Sequence, residues 1–460
     1  MLWRRVSPFL LCLLAFAIPI EHKYDKLFRY YSLKLIPQGV ELPSFFDKKI
    51  YFYPSDLIAI ALLAIALIAL RVPISRFFLE RGAGYLWALF LIAFLSILFS
   101  PLAHYPIPYV RLLQLLTPIL LFSFLANAGD MEGQPKISTW IVGCLIAAAS
   151  IQSLFAIFQY AVQGPLGLRL IGENAHFSQF GISSARTWIF DPVIHETCPV
   201  NRSSGTLPHA NVLGGFLCVS LLTLYPLFFK PLWRLLGALL VPLQFFAMSL
   251  TFSRSAVYAW ALATLAWFGL LFARKGFSWQ DRSVRWLSLS LFFSIAFSFI
   301  ILREPLTHRG GFLNYNQLAR RSDENRIRFQ NIALSMVRDY PWLGAGFQQY
   351  SIRSFDYAEG GGDNPGNGTH NIYLYLAAET GILSLAAFLL FLFKILRFSL
   401  FRAAGLEQIS LTAALMALLL IGLCDFYPLL FQQGKLTFFL IAGLLASSIP
   451  QEKKLTIEAA

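Results

Sequence analysis

The sequence predicts an all-α fold, that of a polytopic integral membrane protein. Three observations carry this reading: a mean hydropathy of +0.62, a composition in which 57% of the 460 residues are hydrophobic, and apolar stretches that recur along the whole length. A bilayer offers no water to exposed backbone amides, so stretches that cross it must be helices or closed barrels. The ten-residue alternation of a barrel is absent from the sequence.

Roughly 20 apolar residues cross about 30 Å of hydrocarbon, and about twelve stretches approach that requirement. They lie near 7–22, 53–71, 84–101, 108–127, 138–162, 209–229, 232–250, 255–273, 284–302, 371–396, 407–425 and 429–449. The first follows Arg4 and Arg5 but is not followed by a small-x-small cleavage site, so it reads as an uncleaved span and not a signal peptide. The expected organisation is helices one to nine over 1–302 with an outer loop at 163–208, a large loop at 303–370, and helices ten to twelve with a short tail over 371–460.

Lys and Arg in short loops set the orientation. With the N-terminus inside, the inner side receives Arg71, Arg76, Arg81, Lys136, Lys230, Arg234, Arg274, Lys275, Arg282, Arg285, Lys394, Arg397, Arg402, Lys453 and Lys454. The short outer loops hold only Arg111, Arg254 and Lys435. The segment 23–52 votes the other way with six basic residues, weakened by its length and its acidic residues. Both termini are therefore expected in the cytoplasm, with the loops 163–208 and 303–370 outside.

A net charge of +13 fits a cytoplasmic collar on anionic headgroups better than a nucleic-acid surface. Cys12, Cys144, Cys218 and Cys424 lie in or at spans and Cys198 in an outer loop, which gives no disulfide or metal framework. The sequence has no nucleotide loop and no metalloprotease motif, and in GGGDNPGNG the calcium-loop pattern is broken by Pro365 and Leu374. No cofactor and no metal is expected. An ion-coupled carrier would place ionisable residues mid-span; here the nearest is Asp425, close to an outer helix end.

Unusual polar residues gather instead at outer helix ends. Between spans seven and eight, Thr251, Phe252, Ser253, Arg254 and Ser255 make the whole turn. Arg254 is either an interfacial arginine snorkelling to lipid phosphate or a fixed clamp whose planar fork pairs two phosphate oxygens. Before span six, Arg202, Pro208, His209 and Asn211 crowd a helix start, which suits an anion site and equally a cap and turn around Asn211 and Pro208. Residues 303–370 hold eight arginines and no lysine. An amphipathic helix around Ile332–Met336 is expected on the outer surface, ended by Pro341, Gly344 and Gly346, with Arg326 its candidate anion ligand. His370 follows Thr369, an expected N-cap, so a helix dipole disfavours the protonated ring and leaves a usable base. The competing reading is a structural histidine at the interface.

Together these segments, R-x-x-G-T-L-P-H-A-N-V-L-G from Arg202, S-R-S-A from Ser253, R-x6-A-L-x-M-x-x-D-Y-P-W-L-G-A-G-F from Arg326 and H-N-x-Y-L-x-x-x-A-E-T-G-I-L from His370, resemble the O-antigen ligase/polymerase superfamily of bacterial inner membranes. By motif the resemblance covers about 200–385; Gln330, where many members carry tryptophan, is a small departure. It implies a C-type, metal-independent glycosyltransferase acting at the periplasmic face on an undecaprenyl-pyrophosphate-linked glycan. The acceptor it implies is lipid A-core for a ligase, or a second lipid-linked glycan for a polymerase. It also implies His370 as the essential histidine, Arg254 and Arg326 as donor-binding arginines, and a less decided substrate role for Arg202, His209 and Asn211. A non-catalytic lipid or polysaccharide transporter is the alternative from another class.

Overall fold

The computed structural model describes residues 3–20, 58, 61, 74–104, 106–128, 137–173, 179–183, 198–310, 317–358, 366, 368–402 and 405–449. The elements in chain order are α1 (Trp3–Ala17), α2 (Ile74–Leu79), α3 (Ala83–Leu98), α4 (Pro106–Ala128), α5 (Ile137–Val162), β1 (Gln179–Ser183), β2 (Cys198–Asn201), α6 (Ala210–Leu224), α7 (Arg234–Leu250), α8 (Arg254–Lys275), α9 (Arg282–Gly310), α10 (Gln317–Asp339), α11 (Tyr350–Arg353), α12 (Ile372–Arg402), α13 (Leu406–Cys424), α14 (Tyr427–Leu430) and α15 (Gln432–Ala446). Among the described residues the fold is all-α apart from β1 and β2, a short antiparallel pair with Gln179 opposite Asn201.

Among the described residues, nine helical segments are long and apolar enough to cross a membrane. Of the twelve expected spans, the one near 53–71 lies outside the described residues except for 58 and 61. Those near 7–22 and 429–449 correspond to α1 and α15, each 15 residues long, short of the roughly 20 a perpendicular crossing needs. The segment 23–52, the run around Pro365, Lys136, Lys453 and Lys454 also lie outside the described residues.

α6 is the central post. Its residues are apolar on every side, the pattern of a helix enclosed by others, and 89% of its span is buried, against 33% for peripheral α9. It is surrounded by α5, α7, α8 and α13. Gly214 and Gly215 permit the close approach: a Cβ at Gly214 would meet Thr251 Oγ1 at 2.9 Å, and one at Gly215 would overlap the Tyr427 hydroxyl. Small residues at helix crossings replace the hydrophobic drive that lipid cannot supply. Buried polar ties add to it: Trp267 Nε1 donates to Ser410 Oγ at 2.8 Å, and Trp260 Nε1 to the Tyr225 hydroxyl at 3.0 Å.

α12 is broken at Gly381, whose φ of 77° and ψ of 176° belong to a region only glycine occupies freely. The break releases backbone groups, and the loop after α10 takes them up. Ala345 N donates to Ala378 O at 2.9 Å, Gly346 N to Glu379 O at 3.0 Å, and Ile382 N to Pro341 O at 2.8 Å. The stretches PWLGAGF and AETGIL are thus two halves of one clasp. It fastens α10 to α12, where Phe329, Ile332, Ala333 and Met336 pack with Ala378 and Tyr350.

Candidate functional site

Four separate stretches of chain meet at the end of the bundle where α6, α8 and α12 begin. The stretch 202–209 is stapled onto α5 by two buried amides. Gly205 N donates to Gln159 Oε1 at 2.8 Å and Thr206 N to Gln152 Oε1 at 2.9 Å. Its last residue, His209, caps α6 by accepting from Asn211 N on its Nδ1 at 3.1 Å. The cap is therefore His209 and not Asn211, because Asn211 sits inside the first turn and its side chain points away toward α13.

That side chain joins a buried network. Arg202 donates from Nε to Thr251 O at 2.8 Å and from Nη2 to Asn211 Oδ1. Asn211 in turn donates from Nδ2 to Asp425 Oδ2 at 2.6 Å. Asp425, next to the end of α13, is held further by Phe426 N at 2.8 Å. A buried carboxylate left without donors would cost several kcal/mol, so these bonds fix its position. Its Oδ1 lies 3.9 Å from His370 Nδ1.

His370 has φ of 50°, a left-handed backbone that non-glycine residues seldom adopt and that clusters at functional sites. The N-cap of α12 is Asn371, not Thr369: Asn371 Oδ1 accepts from both Tyr373 N and Leu374 N at 3.0 Å. Thr369 instead accepts from Asn371 N at 3.2 Å and supports the turn. The sharp turn throws the imidazole between two rings, 4.8 Å from Phe426 and 6.5 Å from Phe329 by centroid. Burial pushes the imidazole below its usual 6.5; Asp425 pulls upward against it and Arg326 adds to the downward push.

Arg254 is the first residue of α8, after a turn in which Phe252 takes φ of 48°. Its guanidinium therefore sits at the positive end of a 22-residue helix. Nη2 lies 2.9 Å from Asp323 Oδ1 on α10, and Arg326 Nη1 lies 3.9 Å from the same oxygen. Both arginines are half-buried. The two guanidinium groups thus converge on one carboxylate, with Phe329, one turn further along α10, beside the imidazole.

The structure brings Arg254, Arg326 and His370 to one end of the bundle, and it places Arg202, His209 and Asn211 behind them. Asp323 and Phe329 on α10, and Asp425 and Phe426 after α13, were not read as site residues from the sequence. The spacing Asp323 to Arg326, one helical turn, is a visible signal for a paired arginine. Among the described residues no three His, Cys, Asp or Glu side chains gather as metal ligands.

The O-antigen ligase family model matches residues 237–389. No curated protein and no solved structure matches the chain. The matched stretch runs from α7 past the break in α12, so it contains Arg254, Arg326 and His370 and leaves Arg202, His209, Asn211 and Asp425 outside. Over that stretch, about a third of its length, the chain is similar to the O-antigen ligase family.

Proposed function

We propose that the protein is a glycosyltransferase of the outer face of the bacterial inner membrane. It moves a glycan from an undecaprenyl-pyrophosphate donor to a sugar hydroxyl, and the acceptor we assign first is lipid A-core, which makes it an O-antigen ligase. Both termini lie in the cytoplasm in this reading, and residues 303–370 face the periplasm. The observation that carries it is the meeting of Arg254, Arg326 and His370, from three distant stretches, at one end of the bundle.

The chemistry follows from what each group can do. An anomeric carbon bound to pyrophosphate has a leaving group whose developing negative charge must be stabilised, and two forked guanidinium groups beside a helix N-terminus supply that stabilisation. They take the part a magnesium ion takes elsewhere, so the transfer is assigned as metal-independent. The neutral imidazole accepts the acceptor hydroxyl proton as the oxygen attacks. The new bond joins that oxygen to the anomeric carbon; the bond to the pyrophosphate oxygen breaks and its electron pair leaves with the pyrophosphate. Attack opposite the leaving group inverts the anomeric centre.

Purified protein incubated with the lipid-linked donor and either lipid A-core or a second lipid-linked glycan tests the assignment. Transfer to lipid A-core that survives a chelator and vanishes in His370→Ala is the expected result. Chain extension of the second glycan alone would make the protein a repeat-unit polymerase, and near-normal transfer by His370→Ala would reject the catalytic assignment.

A further inference from the structure

Arg254 is one of three cations on the short connections expected to face outward; the other two are Arg111 and Lys435, and the site above uses neither. They come together elsewhere. Arg111 with Gln114 on α4, Lys435 with Gln432 on α15, and Glu379 with Tyr375 on α12 line a single cavity of about 80 Å³, floored by Leu89, Phe388 and Phe439. A water needs about 10–15 Å³ of such space, so a small multi-oxygen group such as a phosphate fits and a saccharide does not. Among the described residues that line it, Glu379 is the one carboxylate. It is buried and accepts from Tyr350 N at 3.2 Å. Two of the lining side chains are thus basic and one is acidic, a composition suited to an anion.

The cavity adjoins the site without being part of it. Ile372, Leu376 and Glu379 face it, whereas Leu374 and Ala378, on the opposite stripe of α12, face α10. The connector after α13 is shared in the same way: Asp425 addresses His370, and Leu429 and Leu430 line the cavity. His370 therefore stands at the head of a helix with an arginine pair on one flank and a cationic pocket on the other.

We infer that the Arg111–Lys435 cavity binds a phosphate of the acceptor's lipid anchor, holding the acceptor on the flank of α12 opposite the donor's pyrophosphate. This rests on the transferase reading above. A fixed anchor phosphate lets the acceptor's sugar reach over the α12 N-terminus to His370.

The test uses the full-length protein in phosphatidylcholine nanodiscs, with the undecaprenyl-pyrophosphate glycan as donor and lipid A-core as acceptor, either phosphorylated or stripped of its anchor phosphates. Arg111→Gln and Lys435→Gln should each raise the KM for phosphorylated acceptor by about tenfold, the order of one charged hydrogen bond, and leave the donor KM and kcat unchanged. Both variants should use the two acceptors equally, whereas the native protein prefers the phosphorylated one. Arg111→Lys should retain most of that preference. Inorganic phosphate should compete with the acceptor and not with the donor. An unchanged acceptor KM in folded Arg111→Gln and Lys435→Gln overturns the proposal, as does a rise in donor KM instead. Phosphatidylglycerol added to the nanodiscs that competes as well as the acceptor does would make this a site for bulk anionic lipid and also overturn it. Loss of all transfer in His370→Ala is a separate outcome, and it bears on the transferase reading alone.

Discussion

His370 Nδ1 and Asp425 Oδ1 stand 3.9 Å apart, close enough for one charge to act on the other and beyond hydrogen-bond reach. Asp425 is tied from behind by Asn211 and Phe426 N, so it biases the imidazole electrostatically and does not clamp it. Burial is the larger influence and lowers the imidazole below 6.5, with Arg326 adding to it and Asp425 opposing.

The sign of each influence gives a pH prediction. A depressed value keeps the ring neutral, and able to accept a proton, at pH values below 6.5, so the acid limb of kcat/KM should lie under that pH. Asp425→Asn removes the upward pull and should move the limb further down. Arg326→Gln removes a downward push and should move it up, with a lower plateau. Two limbs that stay where the native one is would detach the profile from His370.

Arg254→Lys keeps the positive charge and removes the fork, and it should lower transfer by at least about tenfold, because a point charge cannot pair two oxygens at once. Steady-state kinetics with lipid-linked donor measure it. Near-native turnover would favour a snorkelling side chain whose partner is lipid phosphate.

Asp323 lies between the two arginines, so a donor pyrophosphate must compete with it for them. Asp323→Asn leaves the guanidinium groups uncompensated by that carboxylate. The expected outcome is a donor KM lower by a few-fold, of the order of one partly screened charge contact, together with a steeper rise of KM with salt. A higher donor KM would show that Asp323 positions the arginines more than it competes for them.

Much of this was readable from residues alone, because membrane spans announce themselves by length and because arginine at a tight outer turn is unusual. Arg254 stands out against apolar neighbours, and Arg326 and His370 lie in the long polar stretch 303–370 between apolar spans. Asp425 does not stand out: one carboxylate at a helix end is unremarkable until Asn211, 214 residues away in sequence, is seen to donate to it. The cap of α12 was misplaced for a local reason, since Thr369 and Asn371 are both good caps and only the left-handed turn at His370 decides between them. The break in α12 was hidden because AETGILSL reads as continuous helix; a single glycine inside a helical pattern is commonly tolerated.

That break gives the last prediction. Gly381 has φ of 77° and ψ of 176°, and a Cβ there would lie 2.0 Å from Trp342 O. Its facing partner Gly344, at φ of 70°, has a Cβ position 2.3 Å from the Glu379 carbonyl carbon. Gly381→Ala thus meets a backbone cost of order 1–3 kcal/mol in addition to a clash with backbone, which cannot turn aside as a side chain can. The clasp between PWLGAGF and α12 should open, and with it the seat of α10 that carries Arg326 and Asp323 to the site. Thermal unfolding in detergent should show a lowered midpoint, and transfer should be lost while the protein still inserts. Ser384→Ala, on the same helix three residues beyond the break, is the control expected to keep both. If Gly381→Ala melts and works like the native protein, α12 tolerates a continuous helix through residue 381 and the clasp is not what holds Arg326 in place.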